Sequence, residues 1–362
     1  MRTVDAIIVG QGFAGTALAW SLAKRGRSFV VIDSGDLNTS SKIAAGLVTP
    51  LTGKRAVKSW AWDEAWETAQ RFYAEIENRT KSQFWNILPS LRLYESDEER
   101  QYLHSRLSHF SSEWVEAYEP SEGKMRVASY IDDSLGGFVM KTAARLEAPL
   151  YLNASRNEFL RLNSYHEQTL DLMLDLEVET EFIQIQKTDI QARRIVFCQG
   201  YTSQANPWFS DLELVPAQGD IITLKIPSLR VLQTLHRGVW LTAASYGSDN
   251  SDHSNYLVGS TYRWHPLDGV PSLACREEIL MKLTRWMKFP FEVIDHQAAV
   301  RPTSFDQKPL LGQSSIDPRF WVFNGLGAKG ALLAPWCAQQ LVETLFDESP
   351  LVDSIRWDRR RL

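Results

Sequence analysis

Cysteine is scarce in this sequence: Cys198, Cys275 and Cys337 are the three in a chain of 362 residues. They show no C-x-x-C or other metal-ligand spacing. That excludes a zinc module and a disulfide framework, and it points to free thiols in a reducing, cytoplasmic compartment. Long apolar runs are absent as well. No stretch approaches the about 20 apolar residues that span a bilayer. The first apolar run, AIIVG at 6–10, is too short for a secretory signal and leads straight into a glycine turn. Basic excess is missing too: the net charge is −5, which disfavours a nucleic-acid partner. The seven histidines form no ligand spacing and no Ser-His-Asp order, so no metal site is expected. His265 and His296 are the best placed to approach a site.

What is present is a globular composition, 44% hydrophobic and 23% charged. The length suits two domains of about 100–200 residues each. Most of the thirteen tryptophans read as core or interface.

The stretch VDAIIVGQGFAGTALAWSLAKRGRSFVVIDSG at 4–35 carries the sharpest signal. AIIVG reads as a buried strand, 14–26 as a helix with Ala17, Leu18, Leu22 and Ala23 inward, and SFVVID at 28–33 as a second buried strand. In that context Gly10, Gly12 and Gly15, with Phe13 and Ala14 between the last two, form a dinucleotide fingerprint. Gly10 permits the tight turn, Gly12 lets backbone approach a pyrophosphate, and Gly15 lets the helix pack on the strand. The helix N-terminus adds partial positive charge. Asp33, with Ser34 beside it, would accept from the adenosine ribose, which argues for NAD or FAD over NADP.

A nicotinamide enzyme would continue strand–helix–strand. This chain instead enters a small-residue loop at 34–55 and an aromatic-striped helix at 59–80. A short strand follows at 90–96. The remaining nucleotide-domain pieces lie far downstream: a strand at 192–200 ending in Gly200, then strand, glycine loop and helix at 319–346. Gly325, Leu326, Gly327, Ala328, Lys329 and Gly330 form that loop. Its helix N-terminus suits an electron-poor or anionic group. One large ligand gripped at both ends by distant segments implies FAD.

With these pieces in order, the sequence resembles the D-amino acid oxidase superfamily, most of all its glycine oxidase and sarcosine oxidase branch. The resemblance rests on the first fingerprint, SSKIAAGLVTP at 40–50, AAVRPTSFDQKPLLG at 298–312 and FNGLGAKGALLAPWCAQQLV at 323–342. It implies an α/β fold: a discontinuous Rossmann-like FAD-binding domain (1–80, 140–215 and 292–362) and a substrate-binding domain with a mixed, largely antiparallel β-sheet (81–139 and 216–291). Runs at 219–226, 238–244 and 255–264 read as strands of that sheet, 276–289 as an amphipathic helix, and 146–162 resembles a family helix. GVWLTAA at 238–244 lacks the Pro-Arg that often follows this strand in the family. Residues 163–190 are acidic and carry little family pattern.

The resemblance implies an FAD-dependent oxidoreductase acting on CH–NH bonds of a small amine or amino acid such as glycine, sarcosine or a D-amino acid. A hydride would pass to flavin N5, with O2 or another electron acceptor closing the cycle. Arg301 would hold the substrate carboxylate; its alternative is a structural ion pair with Asp306 or Asp295. Lys329 would stabilise negative charge on the flavin, reach the carboxylate, or face solvent. Ser40 and Ser41 would donate to phosphate, and Ala44, Ala45 and Gly46 would let backbone meet the ring. Tyr246, Tyr262, Trp240 and Trp264 lie in the proposed roof. With Lys42 in the first loop and no cysteine in 325–330, FAD is expected to be non-covalent. The rival readings are a 2-hydroxyacid dehydrogenase of the same fold, a tRNA-modification-type oxidase and a non-catalytic flavin-binding protein. The terminal RWDRRRL at 356–362 is the one basic cluster, read as a solvated end.

Overall fold

The strand Ala6–Val9 sends alternate side chains into two different cores, as a strand buried on both faces must. Ala6 and Ile8 join one cluster, while Ile7 and Val9 join another. The same alternation holds at Val31 against Val30 and Ile32, and at Val196 against Ile195 and Phe197. These strands belong to one six-stranded sheet. Its order is Tyr165–Glu167, Phe29–Asp33, Ala6–Val9, Ile195–Phe197, Phe320–Asn324 and Leu310–Gln313. All neighbours are parallel except the last pair. This computed structural model describes residues 1–120, 131–186, 188–227, 229–246 and 254–360.

The helices of the described residues are α1 (Phe13–Lys24), α2 (Trp62–Thr80), α3 (Asp97–Leu107), α4 (Ala148–Arg161), α5 (Leu273–Thr284) and α6 (Gly330–Asp347). Side chains of α1, α2, α4 and α6 share the core on one face of the parallel sheet. Tyr73 of α2 is fully buried there and donates its hydroxyl to the Ala331 carbonyl at 2.8 Å, which ties α2 to the first turn of α6. A four-stranded sheet of Arg2–Val4, Ile190–Ala192, Ile183–Ile185 and Leu176–Val178 covers the other face.

A second, eight-stranded sheet is mixed and largely antiparallel. It runs Glu292–Arg301, Ala217–Lys225, Asn255–Gly259, Val239–Ala243, Thr234–Arg237, Ser90–Leu93, Gly137–Met140 and Val115–Tyr118. Ile222 and Leu224 pack with Ile279 and Leu283 of α5. Gly219 and Ile221, on the opposite face, look into the cavity. The fold is thus a Rossmann-like α/β unit assembled from distant segments and joined to an antiparallel-rich sheet.

Three segments depart from the sequence reading. Glu292–Arg301, assigned above to the first domain, pairs along its length with Ala217–Lys225 in the eight-stranded sheet. Residues 163–190, acidic and with little family pattern, supply the parallel edge strand Tyr165–Glu167, two strands of the small sheet and the start of a third at Ile190. Their buried Leu176, Ile183, Ile185 and Ile190 alternate with polar residues, a period-2 pattern that the acidic composition hides. The terminal cluster docks on the body up to residue 360. Trp357 is buried, Arg359 pairs with Asp306 and Arg360 with Glu213. Arg361 and Leu362 lie outside the described residues.

Candidate active site

A cavity of about 1320 Å³ runs between the parallel sheet and the eight-stranded sheet. Its volume exceeds the ~300–1,000 Å³ of a pocket for one drug-sized ligand, so there is room for a dinucleotide and a second molecule. The N-termini of two helices meet it. Gly12, Phe13 and Ala14 of α1 line it, as do Gly327, Ala328 and Gly330 at the start of α6. Neither helix has a side-chain cap or an acid in its first turn. Apart from the Phe13 N–H, which Ser41 Oγ accepts, their first-turn N–H dipoles are left for whatever occupies the cavity. Gly15 does not line the cavity. It lets α1 pack on the strand, since a Cβ there would overlap the Gly10 carbonyl. A Cβ at Gly12 would come within 2.9 Å of Ser41 Oγ, so the bare backbone keeps the cradle open.

At the end beside α1, Gly10, Asp33, Ser34, Ser40, Ser41 and Gly200 line the wall. Asp33 accepts from the Gln11 N–H at 2.7 Å and the Gly35 N–H at 3.0 Å. Lys42 lies 3.5 Å and Arg156 3.6 Å from the same carboxylate. Ser41 Oγ accepts from the Phe13 N–H at 3.1 Å, which joins the loop at 40–46 to α1. Sequence reasoning missed Gln11 and Arg156. The fully buried Gln11 donates to the Leu152 carbonyl, accepts from Arg156, and so fastens α4 to the fingerprint turn.

In the middle, Ala44, Ala45 and Gly46 line the wall beside Leu326. Arg145, also missed, holds this loop from behind. It is buried, and it donates from Nε to the Ala45 carbonyl and from Nη2 to the Ala244 carbonyl, both at 2.9 Å. The readable signal was an arginine inside the apolar run TAARLEAPL. Burial pulls its guanidinium below the ordinary value, while Tyr246 and Glu147 oppose the shift. Tyr246 does not line the cavity. Its ring lies 5.1 Å from the Arg145 guanidinium, and its hydroxyl bonds Thr242.

At the far end, Trp240, Tyr262 and Arg301 line the wall together. Trp264 is more than half exposed and lies apart from it. Arg301 donates from Nη2 to Ser260 Oγ at 2.9 Å and from Nη1 to the Thr261 carbonyl at 3.2 Å. Its guanidinium stands 4.5 Å over the Tyr262 ring. Asp306 is engaged by Arg359, and Asp295 accepts from the His296 N–H. Among the described residues no carboxylate lies within ion-pair distance of Arg301, so the sequence's structural alternative is not what forms. Burial pulls the guanidinium below its ordinary value, and Tyr262 and Asp220 oppose the shift.

Lys329 departs from expectation. Its side chain is not part of the cavity wall, and Nζ donates to Ser59 Oγ at 2.9 Å and Thr52 Oγ1 at 3.2 Å. Burial pulls the amine down to about 8. Gly325 stays outside the wall and packs on Leu310. Of the described histidines only His236 lines the cavity. It bonds Ser90 Oγ at 2.8 Å, and burial with the Arg92 charge holds it down to about 4. No group of three or more His, Cys, Asp or Glu residues is placed to hold a metal among the described residues. No described helix is long and apolar enough to cross a membrane.

A Rossmann-type sheet and an antiparallel roof enclosing a two-ended cavity, with a helix N-terminus at each glycine loop, define an FAD-dependent oxidoreductase. The chain belongs to the DAO family, described as FAD dependent oxidoreductase, whose pattern matches residues 5–344. Its cofactor is FAD, and the two open helix N-termini fit it. The chain is 24% identical over 360 residues to a glycine oxidase of Bacillus subtilis (strain 168), covering 92% of this chain and 90% of that one. It is 22% identical over 363 residues to a glycine oxidase of Bacillus licheniformis, covering 95% and 93%. The fold matches the crystal structure of an iminodiacetate oxidase from Chelativorans sp. BNC1 with a TM-score of 0.78, at 19% identity over 96% of this chain and 98% of that one.

Proposed function

We propose that the protein oxidises the C–N bond of a small amine that carries a carboxylate, an amino acid or an N-substituted glycine. The observation that carries this reading is the Arg301 guanidinium on the cavity wall, held by neutral groups alone. Ser260, the Thr261 carbonyl and the Tyr262 ring fix its plane and leave its positive charge for an anion. A guanidinium takes a carboxylate bidentately, which orients the substrate carbon as well as binding it. FAD, when bound, supplies the two-electron acceptor. The relatives' printed activities, on glycine and iminodiacetate, support the same substrate class. No histidine or cysteine stands at 40–46 or 325–330, which supports non-covalent attachment. Three buried, unpaired cysteines support a cytoplasmic setting. The described arginines of the C-terminal segment, Arg356, Arg359 and Arg360, each pair with an acid, which disfavours an RNA partner there.

The test is anaerobic bleaching of the purified yellow protein by glycine, sarcosine, iminodiacetate, D-amino acids, L-proline and 2-hydroxyacids. Reduction by an amino acid is the expected result, and peroxide formed on readmitting air marks O2 as acceptor. Reduction by 2-hydroxyacids alone, or by nothing tried, would overturn the reading.

A further inference from the structure

Asp220 is a fully buried acid in the strand Ala217–Lys225, and the proposed chemistry makes no use of it. Along that strand Gly219 and Ile221 face the cavity, and Asp220 points the other way, toward α5. Its Oδ2 accepts from the N–H of Ser272, the residue that caps α5, at 2.9 Å, and lies 3.0 Å from His296 Nε2. Its Oδ1 accepts from the Thr261 hydroxyl at 3.3 Å, and its own N–H donates to Thr261 Oγ1 at 3.0 Å. A buried carboxyl group is costly unless its oxygens are satisfied. Here a helix start, an imidazole and a hydroxyl do so.

The Thr261 side chain is therefore fastened twice to one residue, while its carbonyl holds Arg301 Nη1. Ser260 and Tyr262, on either side, supply the other two contacts to the same guanidinium. The tripeptide 260–262 is a cradle for Arg301, and its middle residue is clamped from the far side of the sheet.

We infer that Asp220 and Thr261 are positioning residues for the Arg301 guanidinium, and through it for the substrate carboxylate. The inference rests on the carboxylate reading of Arg301 proposed above. Neither residue meets the substrate. Loss of the clamp lets the Thr261 carbonyl drift, and small errors of placement at a bidentate site are expensive.

The test uses the FAD-loaded enzyme and compares Thr261→Val, which keeps the shape and loses both bonds, with Thr261→Ser, which keeps the hydroxyl, and with Asp220→Ala, which loses the side-chain acceptor of the clamp. The readouts are KM and kcat for the best amino acid of the screen, and flavin-absorbance titration with acetate and with neutral acetamide. Thr261→Val and Asp220→Ala are expected to raise KM and weaken acetate about tenfold, with kcat changed far less and acetamide unaffected. Thr261→Ser is expected to restore acetate affinity. Arg301→Lys runs beside them as a control on the parent reading. If it leaves acetate binding unchanged, the carboxylate reading fails. If it weakens acetate while Thr261→Val and Asp220→Ala do not, the clamp alone is overturned. Should neither of those two fold with FAD, Asp220 is a folding residue and the inference is likewise overturned.

Discussion

Gly219 leaves the space that the Arg301 guanidinium fills. A methyl group at Gly219 would overlap Cζ, Nη1 and Nη2 together. The two residues lie on adjacent strands, where Ala217 is registered opposite Arg301 and Gly219 opposite Ala299. A missing side chain on one strand thus sets where the charged one on its neighbour comes to rest.

Gly219→Ala is accordingly expected to push Arg301 off the wall without unfolding the sheet, because the atoms displaced are the far end of a flexible side chain. kcat/KM for a carboxylate-bearing amine should fall at least about tenfold while the protein stays yellow. Steady-state kinetics with flavin content measured in parallel check this, and an unchanged kcat/KM contradicts it.

Removing the guanidinium itself should cost more. Arg301→Ala discards a charge-assisted bidentate contact, worth roughly 2–4 kcal/mol, or about 30- to 1,000-fold in kcat/KM. The loss should appear with carboxylate substrates and shrink with amines lacking the carboxylate. Equal losses on both would mean that Arg301 shapes the cavity instead of reading an anion.

Arg145→Met removes two charge-assisted bonds and strands the Ala45 and Ala244 carbonyls. A destabilisation of roughly 3 kcal/mol is expected, seen as a thermal midpoint lower by several degrees. Because Ala45 lines the cavity, FAD should also be lost more readily on dilution. Calorimetry and flavin release during gel filtration read the two effects separately.

Lys329 makes a pH prediction with a definite sign. In the folded protein the amine sits at about 8, against an ordinary 10.5. Below pH 8 both states hold the proton, and the full cost of burying the ammonium is present. Between about 8 and 10.5 the unfolded chain binds more protons than the folded one, so stability from this group rises with pH. Wild type should gain on Lys329→Met in thermal midpoint from pH 7.5 to 10. A difference that stays flat across that range contradicts the assignment.

Local pattern made much of the first unit legible. The glycine spacing at 10–15, the apolar strands beside it and the glycine loop before α6 all appear where periodicity places them, because each is a short-range feature. Gln11 and Asp220 were not legible, and Arg145 showed only as an arginine inside an apolar run. Each acts through a partner about 40 to 140 residues away, and nothing within a window of sequence records that distance. The strand Glu292–Arg301 was misplaced for a related reason. It leads into family-like residues that return to the parallel sheet, yet its own pairing is with Ala217–Lys225. The basic tail read as solvated because its acidic partners, Asp306 and Glu213, lie far from it in the chain.

By itself the sequence determined the two glycine turns that lead into helix N-termini and the apolar strands before them, since a turn that needs glycine and a strand that needs apolar alternation impose their requirements residue by residue. Tertiary structure alone decided which charges face the cavity. Arg301 reaches the wall, and Lys329, inside the second glycine loop, points away to Ser59 and Thr52. The physical reason is that a side chain's direction follows from the packing of whichever elements surround it, and those elements meet only when the chain is folded.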